Sequence, residues 1–302
     1  MSASRTCSTP TTSRSRATKP RAAPPISVSV PLSKGITLAA ALVLTGAAAL
    51  ADAPRRVVSL NVCTDQLALL LAAPEQLVSV SSLARDPRTS AYADRAQDVP
   101  VNTGKAEEVV LLDPDLVLAG TFSTQASLSM LERLGYAVAR FAPVSSLEDA
   151  RANITRMGAL LGREEAAADL LADFDTRLSA LSDAEPPLPR TALYGPRGTS
   201  AGPGTLSGQL IARAGLRNIV TEDYGRTLPL EELILADPDL ILVGAPYSGH
   251  SEATALLDHP ALRDTGALRQ LSDGANWVCE TPALLDALAE LRDMRRDWQA
   301  AQ

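Results

Sequence analysis

The sequence predicts an α/β protein made of two similar units with mostly parallel sheets, and two observations predict it. Residues 107–120 read Glu-Glu-Val-Val-Leu-Leu-Asp-Pro-Asp-Leu-Val-Leu-Ala-Gly, and residues 231–244 read Glu-Glu-Leu-Ile-Leu-Ala-Asp-Pro-Asp-Leu-Ile-Leu-Val-Gly. Nine of the fourteen positions are identical and the other five exchange one apolar residue for another. A single near-copy 124 residues downstream marks a duplicated lobe, not a short-period solenoid. Along the rest of the chain, short β-rich runs alternate with helical stretches, as in parallel sheets covered on both faces.

The elements follow in order. Arg56 to Leu60 reads as a strand, Thr64 to Leu71 as an apolar helix, and Leu77 to Ser81 as a second strand. In each repeat a short helical stretch is stopped before proline, at Asp113 and Asp237, because the residue preceding proline is pushed out of the helical region. The β-rich runs Leu116 to Ala119 and Leu240 to Val243 follow. A helix over 125–134 stops at Gly135, and a strand returns over 137–141. Ser145 with Glu148 predicts a capping box for a helix that ends at Leu161 before Gly162. The next helix, Arg163 to Leu181, carries Ala167, Leu170, Leu171, Phe174, Leu178 and Leu181 on one face. Glu185-Pro186-Pro187-Leu188-Pro189 is the strong linker, and the plan then repeats. The second unit has a strand at 190–194, helices at 205–214 and 231–236, the strand 240–243, a helix at 252–257 and a final strand near 275–278. Thr281 with Pro282 opens a last helix striped by Leu284, Leu285, Leu288, Leu291 and Trp298.

Residues 1–33 are rich in Ser, Thr, Arg and Pro, hold no acidic residue and show no apolar period, so they cannot bury enough surface to order themselves. From Lys34 a basic flank, a short apolar core and Ala51-Asp52-Ala53 form the pattern of a secretory signal cleaved after Ala53. A membrane anchor is the competing reading, but the run of small residues is marginal against the ~20 apolar residues a span needs. No cysteine stands at the cleavage site, so lipid anchoring has no support. Residues 54–302 keep 22 basic and 34 acidic residues, a net charge of −12. That balance argues against nucleic acid or an anionic membrane surface as partner.

The chain resembles a known family at Arg-Val-Val-Ser-Leu-Asn (56–61), the helix-Asp-Pro-Asp-Leu units, Gly162-Arg-Glu-Glu-Ala and the late Trp277. It is similar to the periplasmic substrate-binding proteins that serve ABC importers of ferric siderophores, haem and cobalamin. The resemblance covers essentially all of residues 54–302. It implies a first lobe over 54–162, one long bridging helix over 163–184, a second lobe over 185–302, and a ligand cleft between the lobes. A monomer in the periplasm is implied, with a bound chelate as cargo and no cofactor of its own. The family carries one glutamate on each lobe that meets arginines of the permease dimer, and these match Glu107 and Glu231. Carboxylates at the two helix N-termini would produce the same repeat with no partner at all.

Loops after strands hold ligands in open α/β sheets, which makes Cys63, Thr64, Arg85, Thr121 and Phe122 candidates on the first lobe. Tyr194, Arg197, Tyr224, Arg226, Tyr247, Trp277 and Cys279 are candidates on the second. Aromatic bodies suit a flat or partly apolar ligand, and the arginines suit carboxylates or catecholates; ordinary loop packing explains any one of them equally. The family's cobalamin binders line the cleft with more tryptophans than this chain owns, which puts a ferric siderophore ahead of cobalamin and haem. Cys63 and Cys279, the two cysteines left after processing, have three readings: a disulfide, a pair of thiols, or soft ligands to a metal centre. Gly198-Thr199-Ser200-Ala201-Gly202 fits a serine-hydrolase elbow with His250 or His259 downstream, but Ser200 falls several residues past the strand and a glycine-rich loop accounts for it. No Walker loop, His-x-x-x-His or dinucleotide fingerprint occurs, and the protein is expected not to be an enzyme.

Overall fold

The computed structural model describes residues 52–182, 186–245, 251–272 and 274–302. The leader, nearly all of the signal pattern, Tyr247 and His250 lie outside the described residues. Two parallel sheets organise the chain. The first contains β1 (Val57–Ser59), β2 (Leu77–Ser81), β3 (Val101–Asn102), β4 (Leu116–Gly120) and β5 (Val138–Phe141), in the order β3-β2-β1-β4-β5. Its helices are α1 (Val62–Leu71), α2 (Ala106–Leu111) and α3 (Gln125–Arg133). Two longer helices, α4 (Leu147–Leu161) and α5 (Glu164–Leu181), then lead to the second half.

That half holds β6 (Arg190–Leu193), β7 (Thr199–Ser200), α6 (Leu206–Arg213), β8 (Arg217–Asn218), β9 (Arg226–Thr227), α7 (Leu230–Ala236), β10 (Leu240–Val243), α8 (Pro260–Asp264), β11 (Leu268–Gln270) and α9 (Leu284–Ala300). Its sheet runs β11-β10-β6-β8, all parallel, with β7 and β9 forming a separate antiparallel pair.

Alternate residues of each central strand point to opposite faces, and both faces are covered. In the first sheet Val57, Leu116 and Leu118 pack with α1 and α4 through Leu67, Leu71, Ile154 and Met157. Val58 and Val117 face the other way, onto Val109 and Leu131. In the second sheet Leu240 and Leu242 meet α6 and α9, while Ile241 and Val243 meet Leu233 and Leu262. The stripe on α5 serves both halves: Ala167 lies in the first core, Phe174 and Leu178 in the second.

The repeat has one local geometry in both halves. Asp113 and Asp237 sit before proline with φ of 44° and 45°, a left-handed conformation that short polar side chains tolerate better than most. The second aspartate of each Asp-Pro-Asp then holds the entry to the neighbouring strand. Asp115 Oδ2 accepts from the backbone N–H of Arg55 at 2.7 Å and of Arg56 at 2.9 Å. Asp239 Oδ2 accepts from Arg190 N–H at 2.7 Å. The arginine side chains answer in kind, Arg56 donating to the Leu112 and Asp113 carbonyls and Arg190 to the Asp237 carbonyl.

Three expectations are corrected. The cap of α4 lies one residue later than the sequence reading: Ser146 Oγ accepts from Asp149 N–H, and the Asp149 carboxylate accepts from Ser145 N–H. The helix over 252–257 is a 3-10 turn, Ala255–Asp258, followed by α8, which His259 caps by accepting from Ala261 N–H. Residues 275–278 form no strand; Ala275–Trp277 is a 3-10 turn, and β11 takes the edge of the sheet. In addition, α9 starts at Leu284, with Thr281 lending its carbonyl, not its hydroxyl, to the first turn.

Asp239→Ala would strip Arg190 N–H, a partly buried donor, of its partner. The expected cost is about 1–3 kcal/mol, read as a lower urea midpoint with unchanged slope. An unchanged midpoint would mean that water replaces the carboxylate without loss.

Candidate functional site

A cleft of about 320 Å³ opens where the C-terminal ends of the first sheet's strands face the second half. Asn61 and Cys63 follow β1, Gly120, Thr121 and Phe122 end and follow β4, and Ala142 to Val144 follow β5. Across from them stand Thr205, Leu206 and Ser207 at the start of α6, together with Trp277, Val278 and Glu280. A second hollow, about 570 Å³, continues along the second half past Ser200, Tyr224 and Arg226 and shares Thr205 and Ser207 with the first.

The first wall is set by α1. Asn61 caps that helix, its Oδ1 accepting from Cys63 N–H at 3.0 Å, and a Cβ at Gly120 would come within 3.0 Å of the Asn61 amide. Beneath, Asp65 is wholly buried and accepts from Ser81 N–H at 3.2 Å and Ser81 Oγ at 2.5 Å. Burial pushes its carboxyl up to about 6, against the opposing hydrogen bonds of Ser59 and Ser81. The carboxyl ties α1 to β2, directly below the loop that enters the cleft.

The second wall is tied to the first at two points. Cys63 and Cys279 form a disulfide, S–S 2.22 Å and Cα–Cα 5.0 Å, across 216 residues of sequence. With both sulfurs bonded, neither is a thiolate that could ligate a metal. The next residue, Glu280, is only 4% exposed and accepts from Asn153 Nδ2 on α4 at 2.9 Å. Burial raises its carboxyl pKa, and the Asn153 hydrogen bond works against the rise.

Of the residues singled out from sequence, Cys63, Thr121, Phe122 and Trp277 line the cleft, and Tyr224 and Arg226 line the adjoining hollow. Phe122 is 87% exposed and Tyr224 83% exposed. The others are engaged elsewhere. Thr64 is buried against Ser59 Oγ at 2.8 Å, and Arg85 donates to the Ala96 and Val99 carbonyls. Tyr194 is in the core of the second half, and Arg197 turns through φ 56° outside both hollows. Arg226 is held between Glu222 and Glu232. Among the described residues lining the cleft, Glu280 is the one ionisable side chain, and none is basic. Asn61 and Glu280 stood in candidate ligand loops, whereas Thr205 and Ser207 went unselected from sequence; capping and loop polarity look alike whether or not a ligand is near.

Ser200 does not stand on an elbow. It is the second residue of β7, paired antiparallel with β9, and no helix begins directly after it, α6 starting only at Leu206. The glycines around it pack closely: a Cβ at Gly202 would lie 1.7 Å from the Glu222 carbonyl oxygen, and one at Gly225 (φ 82°) 2.1 Å from that of Ser200. Among the described residues no group of three or more His, Cys, Asp or Glu could hold a metal ion.

The family described as "Periplasmic binding protein" matches residues 57–271. A cobalamin-binding protein of Halobacterium salinarum is 30% identical over 200 residues, 63% of this chain and 54% of the relative. The chain thus spans about half the length of that curated relative. A periplasmic haem-binding protein from Pseudomonas aeruginosa superposes with a TM-score of 0.65 at 25% identity, covering 80% of this chain and 92% of that one. A periplasmic vitamin B12-binding protein of Vibrio cholerae shares the fold, with a TM-score of 0.58 at 19% identity over 82% and 98% of the two chains.

The disulfide has a measurable consequence. Non-reduced peptide mass spectra should contain a Cys63–Cys279 cross-link. Reduction should then remove about 5 kcal/mol of stability by the chain-entropy account, a fall in Tm of roughly 10–15 °C. Full alkylation of both cysteines without reductant would overturn the pairing.

Proposed function

The chain belongs to the periplasmic binding protein family, and we propose that it is the substrate-binding component of an ABC importer, capturing a metal chelate outside the inner membrane and handing it to the permease. The observation that carries this reading is the cleft itself. The loops that end the first sheet's strands face the start of α6 and the 277–280 segment across one hollow lined by Trp277, and Phe122 there and Tyr224 in the adjoining hollow are left bare, one in each half. A chain with 3% aromatics that leaves two rings in water gains only when a flat or apolar ligand covers them.

The ligand chemistry follows from charge. The arginines that favoured a carboxylate or catecholate ligand at the sequence level are turned outside the cleft or paired: Arg85 to backbone carbonyls, Arg226 to Glu222 and Glu232. What remains at the cleft is amide, hydroxyl and a buried carboxyl, in Asn61, Thr121, Thr205, Ser207 and Glu280. Such a site suits an uncharged chelate that offers hydrogen-bond donors, because an anion would be desolvated beside Glu280 with no cation to meet it. Cobalamin, rich in amides, leads, and the cobalamin-binding relative supports it. A neutral ferric hydroxamate is second, and haem, with two propionates, third.

Titration with cyanocobalamin, a ferric hydroxamate, a ferric catecholate and haemin, followed by tryptophan fluorescence, tests the ranking. An uncharged chelate should bind with micromolar or tighter affinity and quench Trp277, and Trp277→Phe should abolish most of the quench. Tighter binding of the anionic catecholate or of haemin would overturn the charge argument.

Delivery is read at Glu107 and Glu231. Each lobe carries a pair of glutamates, and in each the second is spent internally. Glu108 accepts from Thr103 N–H at 2.7 Å, and Glu232 pairs with Arg226. The first of each pair is exposed, and among the described residues neither has a hydrogen-bond or ion-pair partner. Both helices start just past residues that line hollows, Thr103 and Gly104 before α2, Arg226 and Thr227 before α7. The free carboxylates therefore stand at the same end of each sheet as the cleft, where they can steer and register a partner carrying two cationic contacts. Glu107→Lys with Glu231→Lys should abolish cellular uptake while ligand affinity stays within about two-fold, since rim charges act on docking. Undiminished uptake would return both residues to helix-start chemistry.

A further inference from the structure

The repeat contains a second matched pair that packing does not explain. Leu111 is 86% exposed and Leu235 85% exposed, each four residues after its glutamate. Residues four apart share one helix face, so each lobe shows a carboxylate and, one turn on, a bare isobutyl group. The two copies differ at Val109/Leu233, Val110/Ile234, Leu112/Ala236, Val117/Ile241 and Ala119/Val243. Val109, Leu233, Val117 and Ile241 are wholly buried, yet these core positions have changed side chain. Leu111 and Leu235, which the core does not constrain, have stayed the same. A lone exposed leucine needs no explanation, but the same leucine bare at the same site of both lobes does.

We infer that Leu111 and Leu235 are apolar anchors of the docking surface, so that each lobe makes a two-part contact: Glu107 with Leu111, and Glu231 with Leu235. The inference rests on the reading of Glu107 and Glu231 as docking residues and specifies the partner further. That partner is a membrane protein presenting, twice, a cationic group with an apolar socket about one helical turn away. The charge complementarity comes from the unpaired carboxylates, and the two-fold count from the two lobes. Division of labour follows: the glutamates act at long range on encounter and depend on salt, whereas the leucines act on contact and resist salt.

The test uses the purified protein, labelled at its C-terminus, and right-side-out spheroplasts of the cell that makes it, with bound protein measured by sedimentation. Leu111→Ser with Leu235→Ser should weaken saturable binding by about ten-fold or more, by the same factor at low and high salt. Circular dichroism and the ligand titration should match the parent, because both side chains are in water. Glu107→Lys with Glu231→Lys serves as the reference arm. If the leucine variant binds like the parent while the glutamate variant does not, the anchors are refuted and docking by charge stands. If neither variant changes binding, the docking reading itself fails. If sedimentation velocity shows the parent as a dimer that the leucine variant dissociates, with spheroplast binding intact, the leucines cover a second copy of this chain and the inference is overturned.

Discussion

One carboxylate on the turn between helix and strand sets the geometry of each half. Asp115 and Asp239 accept from the N–H groups that open β1 and β6, and their own N–H groups donate to Arg56 and Arg190 carbonyls at 2.8 Å. These bonds hold the register Val57↔Leu116 in one sheet and Thr191↔Leu240 in the other. A slip of one residue would turn each strand's buried set to the opposite face. The register also decides what each strand's far end delivers. On the first sheet it is Gly120, Thr121 and Phe122 at the cleft. The turn fixes the other end of α2 and α7 as well, and so the places of Glu107 and Glu231.

Much of this was legible because it is written in periodic or duplicated signals. Asp-Pro-Asp marks the stop of a helix by sterics alone, and the runs Leu116 to Ala119 and Leu240 to Val243 are buried on both faces, so they read as unbroken apolar strands. The α5 stripe was legible for the same reason, although only packing reveals that Ala167 and Phe174 belong to different cores. The errors fall where the signal is a single residue. Ser145 and Ser146 are equally good caps, and the choice between Glu148 and Asp149 as return partner depends on how the chain enters α4. At 275–278, Trp277 and Val278 favour a strand by residue type, but the chain turns in a 3-10 helix just before the cross-link at Cys279.

The candidate site was less legible than the fold, and charge is the reason. An arginine in a loop looks the same in sequence whether it faces a ligand or satisfies a carbonyl. Arg85 closes the 82–99 segment on itself by donating to Ala96 and Val99, and Arg226 neutralises two glutamates. Once these are assigned, the cleft changes character from cationic to neutral and slightly acidic. Glu280 is the carboxyl left at the cleft; burial raises its pKa, and Asn153 already donates to it.

The two halves are joined at several points. The α5 stripe enters both cores, the disulfide fixes the 275–280 segment to the start of α1, and Asn153 on α4 holds Glu280. The disulfide and the Asn153–Glu280 bond lie at the cleft, so a ligand cannot draw the walls together by a wide hinge motion without breaking packed or covalent contacts. Large rearrangement is therefore costly, and any ligand in the cleft meets a frame that is nearly set beforehand. Under the importer role proposed above, a preformed frame suits a carrier whose two lobes meet a partner at once, since a fixed spacing between contact points lets the second contact follow the first without further loss of freedom. The same links that limit closure thus keep the rim residues in register with one another.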